Sequence, residues 1–363
     1  MSLTEDAPLT RPRFHKVAIA DVRQETDDAV SIAFDIPDDL AETFRYVPGQ
    51  YLTLRTEIDG RDVRRSYSIA SGLGDREWRV AIKRVEGGLF SAFATEKLAA
   101  GDLVELMPPA GRFILPEADA PRTIVAFAAG SGITPIASQI RTILLNEPAS
   151  RVFLFYGNQT SRSILFREAI EDLKDRYMAR LSVHNVLSRE AQDIDTLHGR
   201  IDAAKVAAFM RHVVPLQTVD HFLLCGPSEF LDEVSDALEA LDVPQDRILT
   251  ERFTPGRAPR RAQPAADQSA PRESVALTLD GVTTSVTLEP GERILDAALR
   301  VGLDAPFSCR TGMCCTCRAK ALQGKVEMDV NFALREDEVE EGFVLTCQAR
   351  PVGEGVAVDY DAA

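Results

Sequence analysis

Four cysteines carry the most specific chemistry in the chain. Cys309, Cys314 and Cys317 stand as C-x4-C-x2-C, and Cys347 follows after 29 further residues, a spacing by which thiolates hold a [2Fe–2S] cluster. Each iron then needs two thiolates beside the bridging sulfides, and the backbone must wrap closely enough to aim N–H groups at the sulfurs. Gly312 and Thr316 are small enough to allow that. The competing reading is a zinc knuckle, but tetrahedral four-cysteine sites usually pair two short C-x-x-C units, whereas here the last cysteine stands alone. Cys315 could in principle replace Cys314 as a ligand; the spacing favours Cys314 and leaves Cys315 a spare thiol.

Two further groups of residues suit organic redox cofactors. Arg65-Ser66-Tyr67-Ser68 reads R-x-Y-S on a strand, followed by Lys83 and by Gly87-Gly88-Leu89-Phe90-Ser91 at the start of a short helix. An Arg can neutralise a phosphate, an aromatic ring can stack on an isoalloxazine, a hydroxyl such as that of Ser68 can hydrogen-bond near flavin N5, and a Gly-rich helix start can bind a pyrophosphate. Taken alone, R-x-Y-S is also an ordinary half-exposed strand. Gly130-Ser131-Gly132-Ile133-Thr134-Pro135 follows an apolar run and opens a helix, with Pro135 where a missing N–H does no harm. Pro135 stands where the third glycine of a dinucleotide fingerprint would be. Cys225-Gly226-Pro227 closes a later strand, at the end of the sheet where ligands gather. A lone Cys such as Cys225 is also commonly just a small buried hydrophobe.

The elements that must position these residues fall into three textures. Residues 12–118 read as short strands broken by Pro and Gly, at 51–55, 66–70 and 78–84 among others, and predict an antiparallel β-barrel. Residues 119–253 alternate apolar strands (123–129, 152–156, 221–225) with helical segments (135–145, 163–177, 228–241), which predicts an α/β domain on a parallel sheet. Residues 254–273 hold four prolines without apolar periodicity and read as an extended linker. Residues 274–363 open with a hairpin over 274–286 turning at Asp280-Gly281, then a helix over 294–301, then the cysteine loop.

Composition excludes several classes. The 363-residue chain has 45% hydrophobic and 27% charged residues, so neither wholesale disorder nor a collagen-like repeat is expected. Its net charge of −15 would repel a phosphate backbone, so no nucleic-acid partner is expected. No apolar run approaches a membrane span, and the N-terminus lacks the apolar core of a secretion signal. A cytoplasmic protein without a membrane partner is the expectation, and crowded thiols there suggest metal before disulfides.

With these pieces in order, the chain resembles the oxygenase-reductase branch of the ferredoxin–NADP reductase superfamily, with a plant-type ferredoxin domain at the C-terminus. The residues that carry the resemblance are RSYS at 65–68, GGLFS at 87–91, GSGITP at 130–135, YGNQT at 156–160, CGP at 225–227, ERF at 251–253 and the cysteine loop. Within that branch, residues 156–177, 197–202 and 324–351 are most similar to members serving a phenylacetyl-CoA epoxidase; GLDAPFSCR at 302–310 is similar to ketosteroid hydroxylase reductases. The resemblance implies a multidomain fold: a β-barrel flavin domain, an α/β nicotinamide domain and a β-grasp ferredoxin domain. It implies that Arg65, Tyr67, Ser68, Gly88 and Ser91 hold FAD, that Gly130, Gly132 and Thr134 cradle the dinucleotide pyrophosphate, that Cys225 and Glu251 lie at the hydride-transfer point, and that Phe253 packs near the flavin.

Between Gly157 and Arg167 there is no acid, whereas Ser161 and Arg162 are present, which favours NADPH over NADH. Nicotinamide delivers two electrons together and the cluster accepts one, so a flavin must stand between them. None of the five His residues sits in an E-x-x-H motif and there is no C-x-H pair, so the oxygen chemistry is expected in a separate oxygenase component. The leading expectation for that partner is a multi-subunit di-iron epoxidase acting on phenylacetyl-CoA. The alternatives are a Rieske-type hydroxylase such as a ketosteroid hydroxylase, or a role as a ferredoxin-like carrier with non-catalytic front domains. Glu336, Asp337, Glu338, Glu340 and Glu341 form either a steering patch for a partner or a solvated helix face, the second being favoured.

Overall fold

The computed structural model describes residues 13–253 and 273–362. The segment read as a linker, 254–273, lies outside the described residues except for Glu273. Of the described residues, 14–253 and 273–362 belong to two separate compact units.

The first unit begins with six antiparallel strands: β1 (His15–Thr26), β2 (Ala29–Asp35), β3 (Tyr51–Ile58), β4 (Arg61–Ser68), β5 (Trp78–Lys83) and, after helix α1 (Leu89–Glu96), β6 (Leu103–Leu106). Their order is β4-β3-β6-β1-β2-β5. The two outer strands meet where Ile69 bridges Val80 and Ala70 N–H donates to Arg79 O at 2.7 Å, which turns the sheet into a barrel. Its interior is apolar, with Ile32, Leu52, Leu54, Ile69 and Ile82 fully buried.

A parallel sheet follows: β7 (Thr123–Ala129), α2 (Ile133–Asn146), β8 (Arg151–Asn158), α3 (Arg167–Arg176), β9 (Leu181–Leu187), α4 (Ala203–His212), β10 (His221–Gly226), α5 (Ser228–Glu239) and β11 (Ile248–Arg252), in the order β11-β10-β7-β8-β9. The apolar run of β7 serves both faces. Ala126 and Ala128 pack into the core beneath α2 and α3, while Val125 and Phe127 pack into the core beneath α4 and α5. The helix expected at 163–177 starts only at Arg167. Thr160 and Ser163 cap a short 3₁₀ turn instead, Phe166 takes a left-handed conformation (φ 56°), and burial of Ile164, Leu165 and Phe166 draws this stretch off the helical path.

Helix α2 ties barrel and sheet together. Its Ile133, Ile136 and Ile140 share one buried cluster with Ala70, Ala81 and Phe113 of the barrel portion. Ser138 Oγ donates to Ser71 O at 2.6 Å, and Gln139 Nε2 donates to Phe113 O at 2.6 Å. Tyr46 Oη donates to the same Ser71 carbonyl at 3.0 Å, and burial pushes its phenol up to about 12. The Ser138 and Gln139 bonds run buried from α2 to the barrel portion, so they help fix the relative placement of the two halves of this unit.

The second unit is a mixed five-stranded sheet with α6 packed on it: β12 (Ser274–Leu279), β13 (Val282–Thr287), α6 (Ile294–Arg300), β14 (Arg318–Met328), α7 (Glu336–Glu340), β15 (Phe343–Leu345) and β16 (Ala349–Asp359), in the order β13-β12-β16-β14-β15. The expected hairpin turns at Asp280-Gly281, whose N–H groups donate to the Asp361 carboxylate. Val275, Leu277 and Leu279 alternate inward against Ile294, Leu295 and Ala298. The cysteine loop fills the span between α6 and β14.

Candidate redox sites

In the first unit three residues distant in sequence converge. Ser68 ends β4, Glu251 lies on β11, and Cys225 lies beside Glu251 in parallel register on β10. Ser68 Oγ donates to Glu251 Oε2 at 3.0 Å. Desolvation pushes the Glu251 carboxyl up to about 8, only partly offset by the Ser68 hydroxyl. Cys225 is fully buried, and burial, together with the Glu251 charge, keeps its thiol protonated well above the ordinary range. At neutral pH the two side chains are therefore a neutral carboxyl and a neutral thiol, and the carboxyl can hold a proton there without a charge and become an anion only on giving it up.

The turn after β7 is packed against that crevice. Gly132 lies so close to β10 that a Cβ there would stand 2.0 Å from Cys225 O and 2.7 Å from Gly226 N. Only glycine permits this approach. Gly130, with φ 52°, has open space beside it, and its carbonyl accepts from the buried Tyr156 Oη at 3.0 Å. The Thr134 hydroxyl is turned into the loop, donating to Ser131 O at 2.7 Å, so it shapes the turn. Pro135 is buried in the first turn of α2, where its lacking N–H leaves no bond unmade. Pro227 precedes α5 directly after Gly226.

On the barrel, the half-buried Tyr67 ring leans on Phe90, with centroids 5.7 Å apart, and burial raises its phenol above the ordinary range. Arg65 is exposed, with Nη1 donating to Arg64 O, while Ser66 and Thr53 share a hydroxyl bond of 3.0 Å. Lys83 pairs with Asp28 at 3.4 Å. Gly87 and Gly88 lead into α1, whose start has no side-chain cap, so its first N–H groups suit an anion. The Ser91 hydroxyl holds this turn, accepting from Val85 N–H and donating to Gly88 O, both at 3.1 Å. An uncapped glycine helix start with an aromatic ring on the neighbouring strand fits a flavin dinucleotide. Phe253 is 41% exposed at the edge of the described residues.

Beyond β8, the second parallel strand in chain order, Ser161 and the exposed Arg162 occupy the stretch from which the choice of NADPH is expected. The structure adds an acid that the 157–167 stretch does not contain. Glu190, following β9, accepts from both Ser161 N–H (2.8 Å) and Ser161 Oγ (2.9 Å). It comes from a different loop, 29 positions along the chain, and only the parallel order of β8 and β9 could have located it.

In the second unit the thiols form two facing pairs, Cys309 with Cys314 and Cys317 with Cys347. Among the described residues no three His, Cys, Asp or Glu groups converge as ligands of one metal ion. Two pairs, one for each iron, match the donor set of a [2Fe–2S] cluster. N–H groups are aimed at the sulfurs: Thr311 and Met313 to Cys309 Sγ (3.4 and 3.5 Å), Cys309 to Cys314 Sγ (3.5 Å), and Gln348 Nε2 to Cys347 Sγ (3.7 Å). Hydrogen bonding with Cys314, and also the Thr311 and Met313 N–H groups, hold the Cys309 thiol below its ordinary range. Gly312, with φ 81°, lets the loop pass within van der Waals reach of Gln348 and Val330. Cys315 packs against the apolar core of the unit. Of the acidic run, Glu338 does not face a partner. It is 4% exposed, pairs with Arg318 at 3.1 Å and accepts from Arg335 N–H. Glu336, Asp337, Glu340 and Glu341 are exposed.

Barrel, parallel sheet and thiol loop together define a flavin- and nicotinamide-dependent oxidoreductase with an attached iron–sulfur domain. Comparisons with known proteins agree. Residues 16–114 match the oxidoreductase FAD-binding domain, 127–236 the oxidoreductase NAD-binding domain and 277–352 the 2Fe-2S iron-sulfur cluster binding domain. The chain is 43% identical over 352 residues to a component of the 1,2-phenylacetyl-CoA epoxidase of Escherichia coli, covering 96% of this chain and 98% of that one. It is 33% identical over 355 residues to the ferredoxin reductase component of a 3-ketosteroid-9-alpha-monooxygenase from Rhodococcus rhodochrous, covering 95% and 96%. The structure of phthalate dioxygenase reductase superposes with a TM-score of 0.60 at 22% identity, over 95% of this chain and 98% of that one, which shows the shared fold. The chain belongs to the family of oxygenase reductase components that join FAD-binding, NAD-binding and 2Fe-2S domains. It is an electron-transfer reductase, and its partner is an oxygenase. No helix among the described residues is long and apolar enough to cross a membrane.

Proposed function

We propose that this chain is the NADPH-dependent reductase of a multi-subunit di-iron epoxidase acting on phenylacetyl-CoA. The observation that supports this partner above others is the near full-length similarity to the Escherichia coli epoxidase component. Bound FAD would supply the change from paired to single electrons between the nicotinamide and the cluster. The chain's own residues do the rest. Tyr67 would face the flavin ring, Arg65 would neutralise phosphate, and the Gly88 helix start would take the second phosphate. Gly130 and Gly132 would let the backbone approach the nicotinamide pyrophosphate. Glu251, bonded to Ser68 and beside Cys225, would hold the proton that accompanies hydride transfer. Cys309 and Cys314 would ligate one iron, Cys317 and Cys347 the other. Ser161 and Arg162 favour NADPH over NADH. Cys309, Cys314, Cys317 and Cys347 form no disulfide, which suits the reducing cytoplasm.

The test is oxygen-dependent turnover of phenylacetyl-CoA when the purified chain is mixed with candidate oxygenase components and NADPH. Turnover supports the assignment. The second reading, a Rieske-type ketosteroid hydroxylase partner, draws on the Rhodococcus similarity; activity with such a partner and none with the epoxidase components would replace the first.

A further inference from the structure

We infer that Glu190 is a specificity-determining residue for the nicotinamide dinucleotide: its carboxylate competes with a ribose 2′-phosphate for the Ser161 donors and offers an acceptor to a ribose that lacks the phosphate. This rests on the reading that Ser161 and Arg162 receive the ribose end of the dinucleotide.

Two donors of one residue, the Ser161 N–H and Oγ–H, converge on a single oxygen of Glu190 at 2.8 and 2.9 Å. Arg162 and Arg167 lie within electrostatic reach of the same carboxylate. These donors, the Ser161 bonds foremost, hold the carboxyl below its ordinary range, so it is anionic at neutral pH. A phosphate oxygen would be taken up by such a set of donors, because hydrogen bonds to an ionised acceptor are the strong ones. A carboxylate already sits on them.

A phosphate and a carboxylate cannot share these donors without like-charge repulsion, so a 2′-phosphorylated ribose must drive Glu190 off Ser161. An unphosphorylated ribose needs no such displacement. Its hydroxyls can donate to a carboxylate in this place, the task an acid performs where NADH is selected. Ser161 and the two guanidiniums thus favour NADPH and Glu190 opposes them, so the discrimination between the two dinucleotides is the difference between these terms.

The experiment uses the full-length, cofactor-loaded protein. Calorimetry gives the affinities of adenosine 2′,5′-bisphosphate and of 5′-AMP for the parent, Glu190→Gln and Ser161→Ala; steady-state assays give the kcat/KM ratio of NADPH to NADH. The expected result is that Glu190→Gln binds the bisphosphate about tenfold more tightly, the order of one charge-assisted bond released from competition, without a gain for 5′-AMP, and that the kcat/KM ratio rises by the same factor. If Ser161→Ala weakens the bisphosphate while Glu190→Gln leaves both the bisphosphate affinity and the ratio unmoved, the role of Glu190 is refuted and the ribose placement stands. If Ser161→Ala alters neither ligand, the placement falls and the inference with it.

Discussion

The Ser68 hydroxyl donates to the Glu251 carboxyl group at 3.0 Å across 183 positions of sequence, joining the last residue of a barrel strand to the edge strand of the parallel sheet. The flavin and nicotinamide sequence signals lie on these two structures, and under the proposed function this contact is where hydride and proton would be handled together.

Replacing Glu251 by Gln keeps the shape and removes the titrating proton. Anaerobic reduction of the flavin by NADPH, followed by stopped flow, is expected to slow by roughly 10²-fold, the usual scale of a general acid–base contribution. Because the parent carboxyl is held protonated up to about pH 8, its rate should fall as pH rises through that value. A flat profile in the parent would remove Glu251 from the proton path.

The same carboxyl has a stability signature. A Glu whose folded pKa is raised from 4.5 to about 8 binds more protons folded than unfolded across that interval, so folding stability drops as pH climbs from 4.5 to 8. Glu251→Gln is free of this loss. Its Tm should match the parent near pH 4.5 and exceed it increasingly toward pH 8, as measured by differential scanning calorimetry; equal Tm values at both ends would contradict the desolvated, neutral carboxyl.

Gly132→Ala pushes a methyl group to 2.0 Å from the Cys225 carbonyl oxygen. The atoms it meets are all backbone and cannot turn aside, so the turn and the end of β10 must part. Overpacking of this kind costs about 1–3 kcal/mol, and NADP⁺ affinity should fall along with the melting temperature. Unchanged affinity would show that the turn does not touch the dinucleotide.

Cys315→Ser should retain the full visible absorption of the cluster, because Cys315 packs on the core while Cys314 faces Cys309. Cys314→Ser should lose most of it. Iron and sulfide analysis beside the spectra would also expose a zinc-loaded protein.

What could be read from sequence was local. The C-x4-C-x2-C loop, the Gly130–Pro135 turn and the 280–281 hairpin lie within short stretches whose spacing already restricts the geometry. What escaped was set by pairing across the chain. Glu190 reaches Ser161 only because β9 lies beside β8, and the inward turn of Glu338 follows from the position of Arg318 on β14. The late start of α3 shows tertiary burial overriding helical periodicity, since Leu165 and Phe166 gain more from the core than from another helical turn. The hydroxyls of Ser91 and Thr134 carry a similar lesson, because positions expected to touch a cofactor are used to hold their own turns.

The bonds from α2 to the carbonyls of Ser71 and Phe113 also bear on how such proteins can be recombined. A chimera that exchanges the front barrel for one from another reductase would inherit a foreign surface beneath this helix. Grafts cut on either side of β7 should work only if the incoming barrel presents matching acceptors to Ser138 and Gln139, so the transplantable module is the whole stretch from β1 to β11.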